Sequence, residues 1–150
     1  YVLSFPSLET KKIICIFKIY GKEAALKEAS RNYISAENNI TSIINLVNLL
    51  YLNLKYYAVI NVLETKKILL LNSFYANIIL ARNYNMVNEK IKSINAFKKA
   101  RNLVTELNDN SFFHLIDQIN IKINSLEEEY VQKIYDDKKI KIGSYFPLTN

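Results

Sequence analysis

Residues 74–107 read FYANIILARNYNMVNEKIKSINAFKKARNLVTEL. In the first half Leu80, Ala81 and Tyr84 recur at helical spacing, and in the second Ile91, Ile94, Phe97, Ala100 and Val104 form a stripe. Tyr84 and Asn85 sit at the turn between the two halves. Ser73 is placed to cap a first helix from Phe74 to Tyr84, and Asn88 to cap a second from Glu89 to Leu107. The stretch contains neither Gly nor Pro. It predicts a hairpin of two helices, each with one oily face.

Outward from this hairpin the same pattern returns. Leu46, Leu80 and Leu115 lie 34 and 35 residues apart. Three residues before them stand Ile43, Asn77 and Phe112; one after stand Val47, Ala81 and Ile116; four after stand Leu50, Tyr84 and Ile119. A second helix follows each within a few residues. Its ladder reads Ala58, Val62, Thr65 in one unit and Ser93, Phe97, Ala100 in the next. A hairpin with an exposed oily face cannot bury it alone, so neighbouring units must stack.

The chain resembles the tetratricopeptide repeat family in these residues. Leu80-Ala81-x-x-Tyr84 followed by Ser93-x-x-x-Phe97-x-x-Ala100 carries the likeness over 74–107, with Asn77 in place of the family's large residue. Units at 40–73 and 109–138 are degenerate copies. In the first, Val47 replaces the small residue and Leu50 the Tyr, which predicts a less close helix contact. In the second only the first helix matches. An N-terminal unit, with Ile13 33 residues before Leu46, matches least. The resemblance implies an all-α stack of antiparallel helix pairs, about seven or eight helices, forming one domain over 1–150. In overall shape it also resembles the sensor parts of peptide-responsive regulators of low-GC Gram-positive bacteria and their phages.

The remaining chain fits helices of the same kind. Ser7 caps a helix ended by Tyr20-Gly21, and Lys22 to Tyr33 supplies its partner. Ile40 to Leu50 is amphipathic, Asn53-Leu54-Lys55 is a short turn, and Tyr56 to Lys67 follows. The run Ile68 to Ala81 reads as core helix. Asp109 or Asn110 opens the last helical stretch. Phe112, Ile116, Ile119, Ile123, Leu126 and Tyr130 suit one helix to about Lys138, while Ser125-x-x-Glu128 offers a capping box for a separate one. Beyond Gly143 the tail Ser144-Tyr145-Phe146-Pro147 reads as extended.

Composition narrows the function. Half the residues are hydrophobic, yet no stretch reaches the roughly 20 apolar residues of a membrane span. Two Gly and two Pro in 150 residues argue against tightly turned sheets. Cys15, the single cysteine, excludes an internal disulfide or a cysteine-rich metal site and reads as a small buried hydrophobe in a reducing, cytoplasmic setting. The first residue is Tyr1, which predicts a piece of a longer chain. Heavy use of Asn, Lys, Ile and Tyr fits an A- and T-rich genome, which by itself scatters Asn along helices.

The net charge of +6 is unevenly spread. From Arg82 to Arg101 there are six basic residues and one acid; from Asn102 to Asp137 eight acids face only Lys122 and Lys133. The split can steer an acidic partner to the middle and a basic one to the far end, join neighbouring molecules, or simply solvate two faces.

In a tetratricopeptide stack the first helices line a concave groove. Counting one before and two after each Leu places Asn45 and Asn48, Ile79 and Arg82, and His114 and Asp117 in it. Five of the six are polar. Asn can grip the backbone of an extended peptide from both sides of its amide, and Arg82 can fork onto a carboxylate. The resemblance places Asn45 and Asn48 where carboxylate-clamp members carry Asn, though the clamp's lysines and arginine have no counterpart.

No constellation for catalysis, metal or cofactor binding is legible: His114 stands alone, and Gly occurs only at 21 and 143, too few for a phosphate cradle. The expected function is a protein- or peptide-binding module with no enzymatic role. A self-assembling scaffold using the acidic end and final helix is the alternative. A nucleic-acid-associated regulator domain, resting on Tyr75, Arg82, Tyr84, Lys90, Lys92, Lys98, Lys99 and Arg101, comes third, since Tyr84 fits the packing ladder and lysines on an outer helix are ordinarily solvated.

Overall fold

The first helix of each hairpin begins where a short polar side chain can take over a backbone N–H. In the computed structural model, which describes residues 7–145 and their side chains over 7–138, the side chains of Ser7, Asn39 and Ser73 accept from the N–H groups of Thr10, Ser42 and Ala76. The elements they help to start are α1 (Leu8–Tyr20), α3 (Ile40–Leu52) and α5 (Phe74–Met86). Their partners are α2 (Lys22–Ser35), α4 (Tyr56–Thr65) and α6 (Lys90–Thr105). A 3-10 turn, Asn110–Phe112, leads into α7 (Phe113–Tyr145). Among the described residues there are seven α-helices and no strand, and each helix packs against the next in chain order. The expected all-α stack of antiparallel helix pairs is the fold.

The turns show the repeat in backbone terms. Leu54 and Asn88, 34 residues apart, have φ of 61° and 65°. At the first turn Lys55 N–H donates to Leu50 C=O at 2.9 Å and Leu54 N–H to Tyr51 C=O at 2.9 Å. At the second, Glu89 N–H donates to Tyr84 C=O at 2.8 Å and Asn88 N–H to Asn85 C=O at 3.1 Å. Both are Schellman endings, a left-handed residue closing two bonds back onto the last turn. Asn88 therefore closes α5 and does not cap α6. The N-cap of α6 is Glu89, whose side chain makes no capping bond.

This register corrects the second-helix ladder by one residue. The positions 34 before Ser93 and Phe97 are Val59 and Leu63, and these are buried; Ala58 and Val62 are half-buried and Thr65 is exposed. Val47, Val59, Ala81 and Ser93 are all fully buried, and the α3–α4 contact is less extensive than the α5–α6 one, as Val47 in place of a small residue predicts. The core runs through the stack as three linked clusters. The first joins Ile13, Ala25, Ala29 and Leu49, the second centres on Ile43, Val47, Val59 and Leu63, and the third on Ala81, Phe97, Ala100, Ile123 and Leu126.

Several further expectations change. Cys15 is exposed, because α1 turns Ile13 and Ile16 towards α2 and carries Cys15 away from them. α4 stops at Thr65, and residues 66–72 form a loop in which Leu70 alone is buried, so Ile68–Leu71 is not core helix. The final stretch is one helix through Ser125, and it continues past Gly143 to Tyr145. Phe146 and Pro147 of the expected extended tail lie outside the described residues. Finally, the basic and acidic segments pair with each other. Lys90 meets Glu129 at 2.8 Å and Lys98 meets Glu127 at 2.9 Å, joining α6 to α7. Lys90 accordingly holds the Glu129 carboxyl below the usual carboxylate range.

Candidate functional site

The first helices α3, α5 and α7 line two adjoining cavities. One, of about 380 Å³, is bounded by Asn48, Tyr51, Leu52, Tyr75, Ile79, Arg82 and Asn83. The other, of about 560 Å³, shares Tyr51, Tyr75 and Arg82 and extends past Phe74, Ile78 and Met86 to Leu115, Gln118 and Lys122 on α7. α5 supplies the floor because Tyr75, Ile79, Arg82 and Met86 follow one another at three and four residues and so share one helix face. The Tyr75 hydroxyl donates to Asn48 Oδ1 at 3.1 Å and bridges α5 to α3. Tyr51 leans on Tyr56 with ring centres 5.8 Å apart, which fixes its place on the rim.

Two polar features stand out on this apolar and aromatic surface. Arg82 is exposed and makes no ion pair among the described residues. Lys122 on the facing helix likewise has none, and no acid lines either cavity. Asn83 is fully buried; its Nδ2 donates to Ile79 C=O at 2.7 Å, leaving Oδ1 as a buried acceptor with no partner. An unpaired buried carbonyl costs about 1–3 kcal/mol, so a donor reaching it would be favoured. Spacing alone gave no sign of Asn83, because it lies on neither side of the Leu ladder used to count groove positions.

The structure brings together Asn48, Ile79 and Arg82 of the residues expected in the groove. Asn45 is elsewhere: α1 packs over that side of α3, and Asn45 is buried with Nδ2 donating to Thr10 Oγ1 at 3.1 Å. One turn earlier Ser42 Oγ donates to Glu9 Oε1 at 2.8 Å, completing a polar α1–α3 contact. His114 and Asp117 are exposed, and neither lines the cavities; His114 Nε2 lies 3.1 Å from Gln118 Nε2. The reason is position along the helix axis, shifted by about one turn. Leu46 and Leu80 are the seventh residues of α3 and α5, but the 3-10 turn delays α7, whose seventh residue is Ile119. Ile119 is buried, and the residue before it, Gln118, takes the groove position. Asp109, whose side chain accepts from Ser111 N–H and is held below the usual carboxylate range by that bond, pins the delaying turn.

Behind α5 lies a third cavity, of about 640 Å³, between α4 and α6. Asn77, Leu80 and Tyr84 form its floor, and Lys67, Lys92 and Lys99 surround it. The Tyr84 hydroxyl donates to the Glu64 carboxylate, and burial together with that neighbour pushes the phenol above its ordinary range. Among the described residues no three His, Cys, Asp or Glu side chains gather as metal ligands, and no helix is long and apolar enough to cross a membrane.

These features define a class of molecule: a tetratricopeptide-like helical-repeat fold whose first helices line a concave groove. A solved structure with the same fold is the type III secretion translocator chaperone SycD of Yersinia enterocolitica. The two superpose with a TM-score of 0.71 over 81% of this chain and 83% of that one, at 11% sequence identity. No protein-family model matches the sequence, and no curated protein matches it either.

Proposed function

We propose that this chain is a cytoplasmic protein- or peptide-binding module that holds an extended segment of its partner in the groove between α3, α5 and α7. The observation that carries the reading is the composition of that groove: tyrosines and aliphatics around Arg82 and Lys122, with no acid among them. Aromatic and Arg side chains are the usual anchors of protein recognition. The two cations favour a segment that brings a carboxylate, and Asn83 Oδ1, an acceptor with no partner among the described residues, stands in the wall of the smaller cavity. The shared fold with a protein named as a chaperone is in keeping with this reading.

Peptides selected from a displayed random library on the immobilised chain test it. Acidic peptides with apolar anchors should emerge, and Arg82→Ala should weaken them by about tenfold or more, the loss of one charge-assisted pair. Tyr51→Ala/Tyr75→Ala should weaken them further with the helical circular dichroism unchanged. Peptides that bind these variants as well as the parent would place recognition outside the groove.

A second reading, self-assembly, rests on one feature. Among the described side chains of α7 the last buried one is Leu126, and past it Val131, Ile134 and Tyr135 are exposed. Sedimentation of the chain with and without residues 131–150 separates the readings. A groove receptor keeps its mass and its peptides after the cut, whereas a scaffold dissociates.

A further inference from the structure

The loop between α4 and α5 reads Lys66-Lys67-Ile68-Leu69-Leu70-Leu71-Asn72, an aliphatic run where a surface connection is ordinarily polar. Leu70 is drawn into the core, 5% exposed, and its N–H donates to Lys66 C=O at 3.0 Å. With Leu70 pinned inward, its neighbours are turned out: Ile68 is 92% exposed, Leu69 43% and Leu71 47%. Packing inside this chain does not account for three aliphatic side chains offered together to solvent at a loop.

The charges beside the loop point to what covers it. Leu70 and Lys67 belong to the wall of the cavity behind α5, and Lys92 and Lys99 of α6 complete its basic side. None of the three lysines makes an ion pair among the described residues. The one acid there, Glu64, is engaged by the Tyr84 hydroxyl. Lys66, next in line, donates to Asn38 Oδ1 at 3.1 Å and lies over the Tyr33 ring.

We propose that this face docks on an anionic phospholipid bilayer, with Ile68, Leu69 and Leu71 entering the interface and Lys67, Lys92 and Lys99 meeting headgroup phosphates. Exposed aliphatic side chains on a loop, beside lysines that make no ion pair among the described residues, match a lipid boundary, where apolar burial and surface potential act together. A protein partner would be better served by the aromatic and concave surface that the opposite side already has. The two sides are independent: at about 100° per residue, Asn77, Leu80 and Tyr84 lie across α5 from Tyr75, Ile79 and Arg82. A segment held in the groove and a membrane behind the stack can therefore be engaged at once.

Flotation with vesicles of phosphatidylcholine alone, and of phosphatidylcholine with phosphatidylglycerol, tests the proposal. The chain should float with the anionic vesicles only, and less as salt rises. Ile68→Ser/Leu69→Ser/Leu71→Ser, which spares Leu70, should lower partitioning by at least about tenfold. Lys67→Glu, Lys92→Glu and Lys99→Glu should each lower it about fivefold or more. Thermal melts of each variant establish that it is folded, and groove peptides should bind all of them normally. Failure of the parent to float, or flotation of the serine variant at parental levels, overturns the proposal. So does concentration-dependent self-association that the serine variant abolishes in the absence of lipid binding, which would make the loop a protein contact.

Discussion

The α3–α4 and α5–α6 hairpins turn on the same backbone and fill their seams differently. Both close with a left-handed residue, Leu54 or Asn88, and both bury the two positions that face each other across the hairpin. In α5–α6 these are Ala81 and Ser93, small enough for the Ser93 hydroxyl to donate to Ala81 C=O at 2.7 Å. In α3–α4 they are Val47 and Val59, which have no hydroxyl to give and fill the same space with methyl groups. One hairpin is joined by close approach and a buried hydrogen bond, the other by branched side chains alone. The α5–α6 contact is also the most extensive of any helix pair. A repeat of this kind is thus kept by its turn geometry and by paired volumes, and particular residue types are optional.

The comparison can be broken most severely at the position four residues further along each second helix. Phe97→Ala should cost about 3–5 kcal/mol, because the ring fills the cluster shared by α5, α6 and α7. Leu63→Ala, 34 residues earlier, should cost less, about 2–3 kcal/mol, on the smaller volume removed. Urea melts of the two variants compare them directly, and an equal or larger loss at Leu63 would contradict the ranking. Next comes overpacking. Ala81→Leu should destabilise by about 2–3 kcal/mol by forcing α5 from α6, whereas Val47→Leu should stay below about 1.5 kcal/mol. Similar midpoints for these two would mean that the seams are equally spaced.

Smaller effects sharpen the picture. Ser93→Ala should cost about 1 kcal/mol, the net value of one buried hydrogen bond, with no change in helix content. At the turns the sign reverses. Leu54→Gly should stabilise by up to about 1 kcal/mol, since a side chain with a Cβ is strained at φ 61°. Asn88→Gly should gain only a few tenths of a kcal/mol, because Asn tolerates that conformation better. Calorimetric midpoints resolve both, and a loss of stability on Leu54→Gly would show that the leucine side chain is held by packing there.

Much of the fold is legible in the residues themselves. Ser7 and Ser73 cap where their spacing indicates, Gly21 and Asn53-Leu54-Lys55 turn, and the Leu46–Leu80 interval is the true period. The site is less legible, for three local reasons. Asn45 looks like its neighbour Asn48 in sequence, but only the arrival of α1 decides that one is buried against Thr10 and the other faces the cavity. His114 and Asp117 lie about one turn too early along α7, because three residues of 3-10 turn delay its start. The run from Ile68 has core composition, and only Leu70's place in the α3–α4 cluster shows that its neighbours must turn outward.

The paired turns also decide where the chain divides into exchangeable parts. Because Leu54 and Asn88 present the same dihedral state and the same two closing bonds, residues 55–88 begin and end on matching joints. Excising that block would graft α3 directly onto α6 without altering the geometry of the splice, setting Val47 against Ser93. Copying it in tandem would lengthen the stack by one rung and extend the groove with it. The natural cassette is therefore α4, its loop and α5, taken from two different hairpins, and the number of such cassettes sets how long a segment the concave side can hold.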